Sequence, residues 1–267
     1  MMSRLFIFGL GYCAARIAAA AQEQGWEVVS TGRAGTLSFD DHGAVQLALA
    51  DSEQVLSSVP PGGEGIDPVL EQYGDCLAGK GLSYLSSTGV YGDCGGAWVD
   101  ESAPTGTGRR TARSAADAAW LARGARVLRL PGIYGPPFLQ HEGRSALDRV
   151  RAGRAQRIDL PDQVFSRVHV DDIVAGALLA LDAPGGTYNL SDDQPASQNA
   201  VIEEASRLLG IAPPPLLSFA AAQLSPQAQA FYAENRRVAN GKAKRVLGWL
   251  PRYPSYREGL AALLAPA

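Results

Sequence analysis

The sequence predicts an α/β protein: a doubly wound parallel sheet followed by a smaller, mixed C-terminal domain. Three observations carry this reading. Residues 4–33 read as strand, glycine turn, helix and strand. Short apolar strands then alternate with helical stretches as far as Leu130, the rhythm of a parallel sheet covered on both faces. After Pro131-Gly132-Ile133-Tyr134-Gly135-Pro136-Pro137 the texture changes to separate helices and mixed segments. The expected division is therefore 1–135 and 136–267. It is partly interleaved, because the helix at 171–181 is expected to pack back on the first domain.

The elements follow in order. Arg4–Phe8 is a short apolar strand, and Gly9-Leu10-Gly11-Tyr12-Cys13-Ala14 turns the chain into an alanine-rich helix that Gly25 closes. Trp26–Arg33 is the second strand. Val45–Leu49 reads as a further short strand, with Asp51 and Ser52 at a turn, and Gln54–Val59 as another, stopped by Pro60-Pro61-Gly62-Gly63. Residues 66–78 read as a helix ended by Gly79 and Gly81. Leu82–Ser87 is a strand that runs into Thr88-Gly89-Val90-Tyr91-Gly92. A Gly/Pro/Thr loop covers 92–108, a helix spans Arg109–Arg123, and Ala125–Leu130 is a buried strand. Beyond residue 135, helices are expected near 144–152, at Asp171–Leu181, at 199–209 and at 255–264. Thr187–Leu190 is a short strand and Ala212–Pro215 a proline break.

The bulk numbers narrow the function classes. A chain of 267 residues with 46% hydrophobic and 19% charged residues builds a real core. A net charge of −3 offers no basic footprint for nucleic acid. No apolar run is long enough to cross a bilayer. Cys13, Cys76 and Cys94 show no Cys-x-x-Cys spacing, which points to a reducing, cytoplasmic setting without disulfides or zinc. Three histidines make a multi-His metal site an unlikely design, and no metal is expected. An N-terminal secretory signal is opposed by the two glycines that break the apolar stretch and by Arg16 after it.

The strand–turn–helix–strand order is that of a dinucleotide-binding βαβ unit, in which bare N–H groups and a helix N-terminus meet a pyrophosphate. Gly9 permits the turn, Gly11 lets the backbone approach phosphate, and Ala14 is small enough for close helix–strand packing. The second strand ends on Thr31-Gly32-Arg33, with no carboxylate before Asp40. A carboxylate there would hold the ribose hydroxyls of NAD, whereas an arginine pairs with the 2′-phosphate of NADP. NADP is thus favoured over NAD. Such a charge-assisted contact contributes roughly 1.5–3 kcal/mol, or about ten- to hundredfold in affinity.

Several short runs in fixed order resemble the extended short-chain dehydrogenase/reductase family, the NAD-dependent epimerases and dehydratases. They are Gly9-x-Gly11-x-x-Ala14, Ser86-Ser87-Thr88-Gly89-Val90-Tyr91-Gly92, Leu128 to Pro136, Val168 to Ile173, Tyr188 to Asp192, and Lys242 to Trp249. The resemblance implies a Rossmann fold with the site in the cleft between two domains. It implies a catalytic hydroxyl at Ser87, and Tyr12, Ser86 and Pro131 along the cofactor with Gly9, Gly11, Ala14 and Arg33. The family carries Tyr-x-x-x-Lys on the helix after the long loop. Here those positions fall on Arg109 and Arg113, and no tyrosine or lysine lies between Val99 and Arg123.

Arginine stays protonated and cannot shuttle a proton, but it can clamp a carboxylate or phosphate. Three readings follow. Tyr91 or Tyr134 supplies the proton; or Arg109 and Arg113 bind an anionic substrate; or the chain binds cofactor as a non-catalytic NADP(H) sensor or regulator. A sugar-phosphate enzyme without hydride transfer is a further class. Thr88 and Gly89 stand where sugar-nucleotide 4,6-dehydratases have an acid pair, which argues against that subclass. The leading expectation is an NAD(P)-dependent oxidoreductase or epimerase acting on a polar or anionic small molecule, a sugar nucleotide among the options. By analogy with the family a homodimer is expected. His169 is expected to pack at the domain junction, with Asp171 or Asp172 capping the following helix.

Overall fold

The computed structural model describes residues 3–63 and 65–264. In chain order the first half holds β1 (Arg4–Phe8), α1 (Tyr12–Glu23), β2 (Glu27–Ser30), α2 (His42–Ala50), β3 (Gln54–Ser57), α3 (Pro68–Tyr73), β4 (Gly81–Ser87), β5 (Trp98–Val99), α4 (Thr111–Ala122), β6 (Arg126–Leu130) and β7 (Gly132–Tyr134). The second half adds α5 (Ala146–Arg151), β8 (Arg157–Ile158), β9 (Arg167–His169), α6 (Val170–Ala180), β10 (Gly186–Asn189), α7 (Gln198–Leu209), β11 (Leu216–Leu217), α8 (Pro226–Tyr232), β12 (Arg237–Val238), α9 (Gly241–Leu247) and α10 (Tyr256–Ala262).

The central sheet has six strands in the order β10-β6-β4-β3-β1-β2, all parallel. Alternation along β1 shows why helices must cover both faces. Leu5 and Ile7 point to one face, where they pack with Ile17 of α1 and Ile173 of α6. Phe6 and Phe8 point to the other, against Val45 and Leu49 of α2, Tyr73 of α3 and Trp120 of α4. The chain also returns late to this sheet. β10 forms its edge, and α6 and α9 join the first face. A separate cluster of α5, α7 and α10 (Leu147, Val150, Ile202, Tyr256, Leu260) forms the smaller C-terminal body.

Two local expectations change. The segment read as a strand at Val45–Leu49 lies in a helix, α2, capped by Asp41, whose carboxylate accepts the Ala44 N–H at 3.1 Å. Val45 and Leu49 are four residues apart and share its buried face. The chain therefore passes from β2 to β3 without an intervening strand. The helix expected at 66–78 divides into α3 and a 3-10 turn at Gly74–Leu77. Asp67 starts α3, accepting from Val69 and Leu70 N–H ahead of Pro68, and its second oxygen takes the Trp120 indole N–H at 2.9 Å.

Candidate active site

Strand order reverses between β1 and β3, and in open α/β sheets the crevice at such a point binds ligands. The glycine turn sits there. Gly9 has φ +79°, a conformation that only glycine adopts without strain. Its N–H donates to Thr31 Oγ1 at 3.2 Å and its carbonyl accepts from Ser58 Oγ at 2.6 Å. Gly11 is the N-cap of the 12-residue α1, with no side-chain cap and no acid in the first turn. A Cβ at Gly11 would meet no heavy atom within 4 Å. The helix start thus presents uncapped N–H groups to open space. Ala14 is fully buried against the sheet. Arg33 is exposed in the turn after β2 and, among the described residues, has no carboxylate within ion-pair distance. These features fit a pyrophosphate at the helix start and a second anion at Arg33.

Tyr12 begins α1. Its ring is buried and its hydroxyl donates to Pro136 O at 2.8 Å. Arg16 donates to the same carbonyl at 2.6 Å and lies over the ring of Phe138. The first turn of α1 is thereby tied to the segment that leads into α5. Cys13 is buried, which pushes its thiol up to about 11.

Ser87 ends β4, the strand between β6 and β3. Its Oγ accepts the Gly89 N–H at 3.1 Å, so its own O–H remains to donate. A cavity of about 160 Å³ opens here, lined by Ser87, Arg109, Arg110, Pro131, Glu234 and Arg236. Arg109 pairs with Glu234 at 3.5 Å, and Arg236 with the other Glu234 oxygen at 3.1 Å. The one carboxylate in the lining is therefore held between two guanidiniums. Arg110 lies across Gly89, where an added Cβ would fall 2.5 Å from its Cδ. Among the described residues it has no carboxylate partner. Desolvation, with Arg109 and Arg113 nearby, lowers its pKa.

The other sequence candidates are held by the fold. Ser86 donates to Asp117 Oδ2 at 2.6 Å. Asp117 also takes Arg129 Nη2 at 2.7 Å and Nε at 3.0 Å, a buried bidentate pair. Arg129 reaches on to Tyr91 Oη at 2.9 Å, and Tyr91 donates to Asn189 Oδ1 at 2.8 Å. Tyr91 is buried, which raises its pKa, and it does not line the Ser87 cavity. Burial also raises the pKa of Tyr134. Arg113 donates to Tyr84 Oη at 2.7 Å and stays outside the Ser87 cavity. Of the four proposed catalytic residues, the structure brings Ser87 and Arg109 together and sets Tyr91 and Arg113 apart. His169, not Asp171 or Asp172, caps α6, through Nδ1 and the Asp171 N–H at 3.2 Å. Asp172 instead accepts the Arg252 and Tyr253 N–H groups.

Gly132, Phe165, Ser166 and Phe231 line this cavity and also a second one of about 420 Å³. The second cavity runs into the C-terminal body, past Arg144, Arg149 and Arg154. Sequence reasoning missed Phe165, Arg149, Phe231 and Glu234. They lie 62 to 147 residues after Ser87 in the chain, and no local pattern joins them.

No protein-family model matches the chain. It is 35% identical over 141 residues to a 3-diazoavenalumate denitrifying reductase from a Streptomyces species, a match that spans 50% of this chain and only 45% of that relative. A solved structure of a functionally unknown conserved protein from Silicibacter pomeroyi superposes with a TM-score of 0.83 at 37% identity, over 98% of each chain. The dTDP-glucose 4,6-dehydratase of Bacillus anthracis, solved in complex with NAD, gives a TM-score of 0.75 at 15% identity over 98% of this chain and 95% of that one. At that identity the likeness is one of fold.

Proposed function

The chain belongs to the family of the Silicibacter pomeroyi protein and has the epimerase/dehydratase fold of the extended short-chain dehydrogenases/reductases; on that premise we propose that it is an NADP-dependent reductase of a small anionic molecule. The observation that carries the reading is the Ser87 cavity: a free hydroxyl at the end of a central strand meets Arg109 and Arg110 beside Pro131. The name of the Streptomyces relative, a reductase, supports the reaction class.

When bound, the cofactor supplies a hydride. The chain's own residues do the rest. The Gly9–Gly11 turn and the start of α1 would hold the pyrophosphate, and Arg33 would hold the 2′-phosphate. Oxidation of an alcohol needs a base to take the hydroxyl proton. The tyrosine position holds Arg109, which has no basic lone pair. The cavity lining offers Glu234, neutralised by Arg109 and Arg236. Reduction makes a different demand, because negative charge grows on the acceptor oxygen. Ser87 Oγ–H and the unpaired Arg110 guanidinium stabilise that charge in place. The lining therefore suits an acceptor whose new negative charge is held in place without a proton from a side chain.

The test follows NADPH oxidation with an activated enal. Ser87→Ala and Arg110→Gln are each expected to lower kcat by about a hundredfold, as loss of an oxyanion donor does, with NADPH affinity unchanged. NADPH binding with no turnover of any carbonyl acceptor would instead favour the non-catalytic sensor.

A further inference from the structure

Resting on that reading, the geometry points to a substrate class: a flat, conjugated molecule that carries a carboxylate at the end remote from the acceptor. The two cavities share the walls formed by Gly132, Phe165, Ser166 and Phe231, so they adjoin as one cleft. At one end stand Ser87 and Arg110. At the other stands Arg149, in a lining that also holds Arg144, Arg154, Glu142 and Asp148. Among the described residues neither Arg110 nor Arg149 has a carboxylate within ion-pair distance, although Asp148 next to Arg149 pairs with Arg151. Both arginines keep solvent-exposed side chains on the cleft lining, so each guanidinium is open to an anionic ligand. Desolvation lowers the pKa of Arg149 as it does that of Arg110.

Between the two charges the wall is aromatic. The rings of Phe165 and Phe231 stack at 4.5 Å with 10° between their planes. Phe231 remains 42% exposed although it lines the cleft. A flat apolar face of this kind takes a planar body by stacking. The chemistry at the Ser87 end makes the same demand. With no proton donor at the tyrosine position, the acceptor must disperse its new charge. In a conjugated carbonyl the β-carbon takes one hydrogen with its two electrons from the reduced nicotinamide. The displaced π electrons move to the oxygen held by Ser87 and Arg110, and solvent returns one proton to the α-carbon. The nicotinamide is oxidised and the C=C bond is reduced.

The probe is trans-4-carboxycinnamaldehyde, with its methyl ester and UDP-glucose for comparison. Each is titrated calorimetrically into the full chain saturated with NADP⁺, after NADP⁺ binding has itself been measured. The acid is expected to bind at least tenfold more tightly than the ester. Arg149→Gln is expected to close that gap, while Phe231→Ala weakens acid and ester by the same factor. Equal binding of acid and ester by the unaltered protein would overturn the proposal, whether or not the variants fold. So would UDP-glucose binding tenfold tighter than the acid. Failure to bind NADP⁺ would remove the reductase reading on which the proposal rests, and is read separately in the first titration.

Discussion

Arg129 and Asp117 illustrate how single residues carry this site without touching a ligand. Both are buried, and their bidentate contact orders Ser86 on one side and Tyr91 on the other. Removing one partner leaves a buried charge uncompensated, at a cost of about 3–5 kcal/mol. Arg129→Met is expected to lower the urea midpoint accordingly, and an unchanged midpoint would contradict the role given to the pair. The same contact explains what sequence could and could not show at this scale. Ser86 and Tyr91 stood in a recognisable run, but the run does not say where a hydroxyl points. Burial and the Asp117–Arg129 pair decide that, and Asp117 lies 31 residues from Ser86 along the chain. Ser87 was singled out by the family resemblance, and strand alternation turns it to the face opposite Ser86.

At the scale of elements, β1, α1 and β2 were legible from apolar runs and glycines, and they carry the glycine turn. α2 was not. Val45-Gln46-Leu47-Ala48-Leu49 alternates well enough to pass for a strand, and Asp41 decides otherwise by capping the helix from outside the run. Asp41→Ala is expected to destabilise the protein by about 1 kcal/mol. Urea unfolding at constant m-value would show it, and no change would mean that burial of Val45 and Leu49 suffices. α6 gives a second test. A Cβ at Gly176 would fall 2.7 Å from Leu190 Cδ1 and 3.2 Å from Trp249 Nε1. Gly176→Ala is expected to cost about 1–3 kcal/mol through overpacking, and to leave the Ser87 cavity intact.

For the whole molecule, two buried groups set opposite limits on stability with pH. Burial holds His169 at about 4, below its usual 6.5, so stability is lost as pH falls between those values, where the unfolded chain takes the proton first. Burial pushes the Asp192 carboxyl up to about 8, so its contribution is complete at low pH and is lost as pH rises from about 4 through 8. Between pH 4 and 6.5 the two slopes oppose each other, so Asp192→Asn is expected to steepen the rise of Tm with pH there and to remove its decline from 6.5 to 8. An unchanged alkaline limb would contradict the assignment. The fold of the whole was readable from alternation and order of motifs. The cleft was not, because α8, β9 and the segment before α5 meet only after the chain has closed its sheet.

The most direct test of the central claim is a titration of the purified chain with NADPH and with NADH, beside Arg33→Ala. The cradle at Gly9, Gly11 and Arg33 predicts NADPH binding tighter than NADH, with a loss of about ten- to hundredfold for NADPH alone in the variant. Equal affinities in both proteins would show that Arg33 is a surface turn residue, and binding of neither nucleotide would contradict the cofactor site and the reductase with it.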